Sequence, residues 1–140
     1  MDVRFLAAEV LFWKMPGYPP EDDRSPLAPV YAAALRAARM GNPWGLPGEL
    51  DGPSGQHVVQ LGAPAVADLI PLLGDSRRVP YAGSQDATFG NSYAYRVKDF
   101  AAFFIARVRN LPYTVHEDPR ARDSEIDELR MALSTSPHRI

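Results

Sequence analysis

Cysteine is absent from the 140-residue chain. Disulfides, thiolate metal ligands and cysteine nucleophiles are thereby excluded, and a reducing compartment, the cytoplasm by default, is the expected setting. A large charge of one sign is also missing, since 15 basic residues face 17 acidic ones for a formal net charge of −2. Without a global positive field, nucleic acid is not a favoured partner. No apolar run approaches the roughly 18 residues needed to cross a bilayer, so no membrane role is expected. The apolar start, Phe5-Leu6-Ala7-Ala8 and Val10-Leu11-Phe12-Trp13, is interrupted by Glu9 and followed by no small-residue cleavage site; it reads as a core helix and not as a leader. Also missing are a G-x-S-x-G nucleophile elbow, a phosphate-cradling glycine loop and an H-E-x-x-H helix.

What is present is the composition of a folded domain, 46% hydrophobic and 23% charged, at a length that closes one core but not two. A single helical domain over 1–140 is expected, with a frayed tail from about Ser134. Asp2 is a plausible N-cap, and Val3, Leu6, Ala7 and Val10 recur on one face of a first helix ending near Lys14. Ser25-Pro26 has the form of a second helix start, with Val30, Tyr31, Ala34, Leu35 and Ala38 as its buried stripe and Gly41 as its end. The segment 42–53 carries three prolines and three glycines, which predicts an ordered, non-helical loop pinned by Trp44. A short helix is expected from Ser54 to Leu61, and another from Pro64 burying Val66, Leu69, Ile70 and Leu73, with a kink at Pro71. The clearest helix begins near Tyr95, because Val97, Phe100, Ala101, Phe104, Ile105, Val108 and Leu111 share one face. Asp118-Pro119 or Asp123 opens a last helix with Ile126, Leu129 and Leu133 inward. No segment reads as a convincing strand. The expected fold is all-α, about five antiparallel helices with no substantial sheet.

The residues Leu61-Gly62, Ala65-Val66, Leu69-Ile70-Pro71-Leu72-Leu73 and Asp75, with Val97-Lys98, Ala101-Ala102 and Ile105, resemble one HEAT repeat. The resemblance covers about a third of the chain. It implies stacked antiparallel helix pairs and a binding role, although the broad group also holds enzymes acting on alkylated DNA. The connection between the two helices is far longer than in a standard repeat, and no second copy of equal quality is visible.

That connection, Val79 to Ala94, exceeds the roughly 12–15 residues beyond which loops in compact domains tend to carry function. Tyr81, Phe89, Tyr93 and Tyr95 give it rigid apolar area, while Ser84, Asp86 and Asn91 supply adaptable hydrogen bonds, a combination suited to partner recognition. The same tyrosines could instead fold back as a lid. Arg96, Asp99, Phe103 and Arg107 fall along the edge of the neighbouring helix's buried stripe, with Arg96 and Asp99 spaced as an ion pair. The expected partner-binding set is Tyr81, Ser84, Asp86, Phe89, Asn91, Tyr93, Arg96 and Phe103.

Catalytic and metal signals are thin. His57 sits among apolar neighbours as a satisfied core or boundary histidine does. His116-Glu117-Asp118 are consecutive and do not point at one ion, and the runs Glu21-Asp22-Asp23 and 120–128 read as solvated faces and helix-terminal charges. No cofactor or metal is expected. The leading expectation is a non-catalytic protein-binding module, in the form of an inhibitor or a bacterial immunity-type protein masking its target. A small enzyme using Asp86, Arg96, Asp99 and His116 is the first alternative. A helical nucleic-acid binder using Arg77, Arg78, Arg96, Arg107 and Arg109 is the second.

Overall fold

Seven α-helices and two short 3-10 segments make up the regular structure of residues 3–83 and 85–135, the part that the computed structural model of the chain describes. Among these residues there is no strand; the one β-type pairing is an isolated antiparallel bridge between Arg78 and Arg96. The all-α class is therefore as the sequence indicated, with more and shorter helices than the five expected.

Helix α1 (Val3–Lys14) is rotated away from the sequence expectation. Phe5 and Ala8 are its buried residues and Phe12 packs beside them, while Val3, Leu6, Ala7 and Val10 face outward. Helix α2 (Glu21–Arg36) starts ahead of Ser25 because Glu21, Asp22 and Asp23 sit in its first turn, where negative charge complements the helix dipole. Pro26 and Pro29 lie inside it. Each removes one helical donor, leaving the carbonyls of Asp22 and Ser25 without that partner, at positions that are exposed and open to solvent. The helix ends at Arg36, short of Gly41.

Segment 42–53 is not loop throughout: Asn42–Trp44 forms a 3-10 turn, and Pro53 is the first residue of α3 (Pro53–Leu61). Trp44 is buried as expected and stacks on Phe5 with centroids 5.8 Å apart. Gly62, at φ +75, separates α3 from α4 (Ala63–Leu69). The kink at Pro71 takes the form of a change of helix type, since Ile70–Gly74 is 3-10. Across Gly62 the chain direction bends by 109°.

Helix α5 (Gln85–Tyr93) occupies the connection that read as a loop. Helix α6 (Val97–Arg109) is the central element and is buried on all sides over its first ten residues, Lys98 excepted. That burial follows from its alanines, Ala101, Ala102 and Ala106, which let α4 and the 3-10 segment approach closely. The two segments that carry the HEAT resemblance thus pack directly against each other. Asn110 in the left-handed region ends α6. Helix α7 (Pro119–Thr135) is opened by Asp118, whose carboxylate accepts the Arg120 N–H at 3.1 Å, and it buries Ile126 and Leu129. Of the expected tail, Ser134 and Thr135 are helical and the rest lies outside the described residues.

Candidate functional site

The connection between the 3-10 segment and α6 is held at both ends. Val79 N–H donates to Tyr95 O at 3.0 Å and Val97 N–H to Arg77 O at 2.9 Å, so the two ends of the excursion lie side by side. Inside it, Tyr81 turns inward: its ring is buried, its hydroxyl donates to Gly45 O at 2.5 Å, and Asn91 clasps its backbone, accepting from Tyr81 N–H at 3.0 Å and donating to Tyr81 O at 3.2 Å. Gly90 explains why α5 can sit there. A Cβ at that position would lie 2.1 Å from Tyr81 Cδ1.

Beneath α5 is a side chain that the sequence did not flag. Arg122, on α7, is 0% exposed, the largest fully buried residue. Its guanidinium donates to His116 O and Glu117 O at 2.9 Å each, to Tyr93 O at 2.7 Å and more weakly to Ala94 O at 3.4 Å. Nε lies 3.1 Å from Asp99 Oδ1, and the cation sits 5.2 Å from the Tyr95 ring centre. One residue therefore ties the end of α5, the start of α6 and the 110–118 connection to α7. Asp99 completes the junction as the α6 N-terminal acceptor, taking Arg96 N–H at 2.9 Å and pairing with the Arg96 guanidinium through two bonds of 3.0 Å. Arg96 also lies 2.9 Å from Asp123, and Lys98 lies 3.2 Å from it. Burial favours the neutral form of Asp123, but these two cations outweigh it and lower its pKa.

The expected partner-binding residues consequently separate. Tyr81 and Phe103 are buried, Asn91 and Arg96 are engaged in holding the junction, and Phe89 and Tyr93 reach the surface. Ser84 and the side chain of Asp86 lie outside the described residues. Phe89 is 61% exposed, pairs with no other ring among the described residues, and lines a cavity of about 440 Å³ with Leu46, Pro47, Glu49, Tyr93, Tyr95 and Val115.

Of the enzyme candidates, Arg96 and Asp99 pair with each other, and the side chain of Asp86 lies outside the described residues. Asp99 is spent on Arg96 and Arg122, and His116 pairs with Glu125 at 3.1 Å. Of the arginines of the nucleic-acid reading, Arg78 and Arg96 face each other in the isolated bridge, while Arg96 and Arg109 stand at opposite ends of α6, about 20 Å apart at its rise per residue. Among the described residues no three metal-capable side chains cluster.

His57 belongs to a different group. Glu9 Oε2 accepts from Tyr31 Oη at 2.6 Å and lies 2.5 Å from His57 Nδ1, Glu9 Oε1 accepts from Ser54 Oγ at 2.5 Å, and Phe12 stacks flat on the imidazole at 4.1 Å. A serine, a histidine and a carboxylate thus meet, but with the carboxylate in the middle. Ser54 donates to Glu9 and not to His57, so no base activates it as a nucleophile. Burial raises the Glu9 pKa, and the His57, Ser54 and Tyr31 bonds outweigh it to give a net lowering. The network is a latch joining α1, α2 and α3.

With Phe5, Ala8 and Phe12 turned inward, the opposite side of α1 is left bare. Val3, Leu6, Val10 and Trp13 are 77%, 49%, 54% and 80% exposed, and at spacings of three and four they form one stripe along the helix. Sequence reasoning named three of these residues but placed them inside.

No family model matches the chain, and neither a curated protein nor a solved structure matches it.

Proposed function

We propose that the chain is a non-catalytic protein-binding module of stacked, HEAT-like helices, acting in the cytoplasm by covering a surface of its target, as a small inhibitor does. The observation that carries the reading is the α1 stripe. An amphipathic helix needs one apolar face for its own core; α1 has a second, some 18 Å long by its rise per residue. Its four side chains expose roughly the few hundred Å² at which an apolar patch marks an interaction site, and Trp13 is of the residue type that dominates interface energetics. The chemistry points to a partner with an apolar helix or groove of matching length.

The test uses a Trp44→Phe background, in which Trp13 is the only tryptophan. Proteins retained from lysate by this chain are compared with those retained by Leu6→Glu and Trp13→Glu variants of unchanged helicity. A partner that is lost from both variants, and that shifts Trp13 emission to the blue when purified and added back, supports the reading. A partner retained equally by both variants refutes it. Concentration-dependent dimers with the same blue shift and no second protein would also refute it, replacing the target with another copy of this chain.

A further inference from the structure

A second site stands apart from α1. The cavity beside α5 has three aromatic walls, Phe89, Tyr93 and Tyr95, and among the described residues Glu49 is the one charged residue in its lining. Tyr93 and Tyr95 stack with centroids 5.1 Å apart and form a fixed platform, held from behind by Arg122. Arg122 is fully buried, lies 3.1 Å from Asp99 and is not part of the lining, so it does not fill the cavity. Phe89 lies outside the core: it is 61% exposed and pairs with no ring among the described residues. Glu49 is held in place by the turn in which its N–H donates to Leu46 O at 2.9 Å, and it is near enough to Tyr95 to disfavour ionisation of that hydroxyl.

Aromatic faces carry negative potential, and a lone carboxylate beside them adds to it. Such walls attract a diffuse organic cation while gaining little from an anion or a neutral group. The volume, about 440 Å³, is at the small end of ligand sites and exceeds what an inorganic ion requires. We propose that this cavity binds an organic cation, an alkylated ammonium or a guanidinium group, between Phe89 and the Tyr93–Tyr95 platform with Glu49 as counter-ion. The group could be a free small cation or the end of a side chain, and the two sources share this chemistry.

The proposal is tested by amide-resolved NMR titration of the full chain with choline, with its uncharged carbon isostere dimethylbutanol, with N-acetyl-arginine methylamide and with the corresponding citrulline compound. Shifts clustered at 46–49 and 89–95, with the cation at least about five-fold tighter than its neutral isostere, are expected. Glu49→Gln and Phe89→Ala, both exposed positions, should each weaken the cation by a similar factor. Binding of choline alone assigns a free small cation, and binding of the arginine compound alone assigns a side chain. Neutral isosteres binding as tightly as the cations, an unchanged affinity in Glu49→Gln, shifts located elsewhere, or no shift with any of the four probes overturns it.

Discussion

Replacing Arg122 by methionine keeps most of the buried volume and removes the guanidinium. The wild-type group has four backbone carbonyl partners in two separate segments and lies 3.1 Å from Asp99, with no exposure to water. Removing one member of a buried ion pair costs about 3–5 kcal/mol, because the remaining charge and acceptors stay desolvated. Asp99 keeps its two bonds to Arg96, which moderates the loss on that side. The four carbonyls have no such substitute, and each unsatisfied acceptor costs about 1–3 kcal/mol unless the site opens to water. A net loss of about 3–5 kcal/mol is therefore expected. For a chain of this length the unfolding entropy is about 0.3 kcal/mol/K, so the melting temperature should fall by about 10–17 °C. Urea denaturation followed by circular dichroism gives the free energy directly. Arg122→Lys should recover little, since an ammonium cannot reproduce the planar fork that reaches both segments. A loss below about 1 kcal/mol in Arg122→Met would refute the reasoning, placing the cation among the costs of the fold rather than its supports.

Three further outcomes follow from the same geometry. The Glu9 pKa is lowered by folding, so its stabilisation is present above the unfolded-chain value of 4.5 and is lost as pH falls through the lower folded value; urea midpoints measured across the acid range should show this loss, and Glu9→Gln should lack it. Gly90→Ala should destabilise by about 1–3 kcal/mol or displace α5, because the new Cβ meets the Tyr81 ring; wild-type stability by thermal denaturation would contradict the tight packing of α5. Trp13→Ser should change stability by no more than about 0.5 kcal/mol in the same assay, as expected for an exposed residue outside the core.

Some of the breaks between elements were legible. The face of α6 from Val97 to Val108, the Gly62 break, the Pro71 perturbation and the Asp118-Pro119 start all stand where local chemistry put them, and only Leu111 of that predicted face falls beyond the helix end. Glycine, proline and short capping side chains act on their own neighbours, so one stretch of sequence suffices to read them. Helix α5 was not legible, because Thr88, Gly90, Asn91 and Ser92 are weak helix formers. It is helical because Asn91 is bonded to the Tyr81 backbone and Gly90 clears the Tyr81 ring, both contacts across ten residues or nearly so. The aromatic half of the candidate site was visible as residue types, but Glu49 comes from a loop some forty positions earlier and drew no attention.

By itself the sequence determined the all-α class, most helix positions and the absence of thiol chemistry, since these depend on composition and on periodicities within single segments. The tertiary structure alone decided which side of α1 faces in. Helix α1 is apolar on two faces, and periodicity cannot choose between them; Phe5 and Ala8 enter the core, with the donors Tyr31, Ser54 and His57 meeting Glu9 at the edge of that face, and Val3, Leu6, Val10 and Trp13 are left outside. Likewise Arg122 reads as one more charge in a solvated run. Only the convergence of four carbonyls and Asp99, from segments distant in sequence, makes burying its charge tolerable.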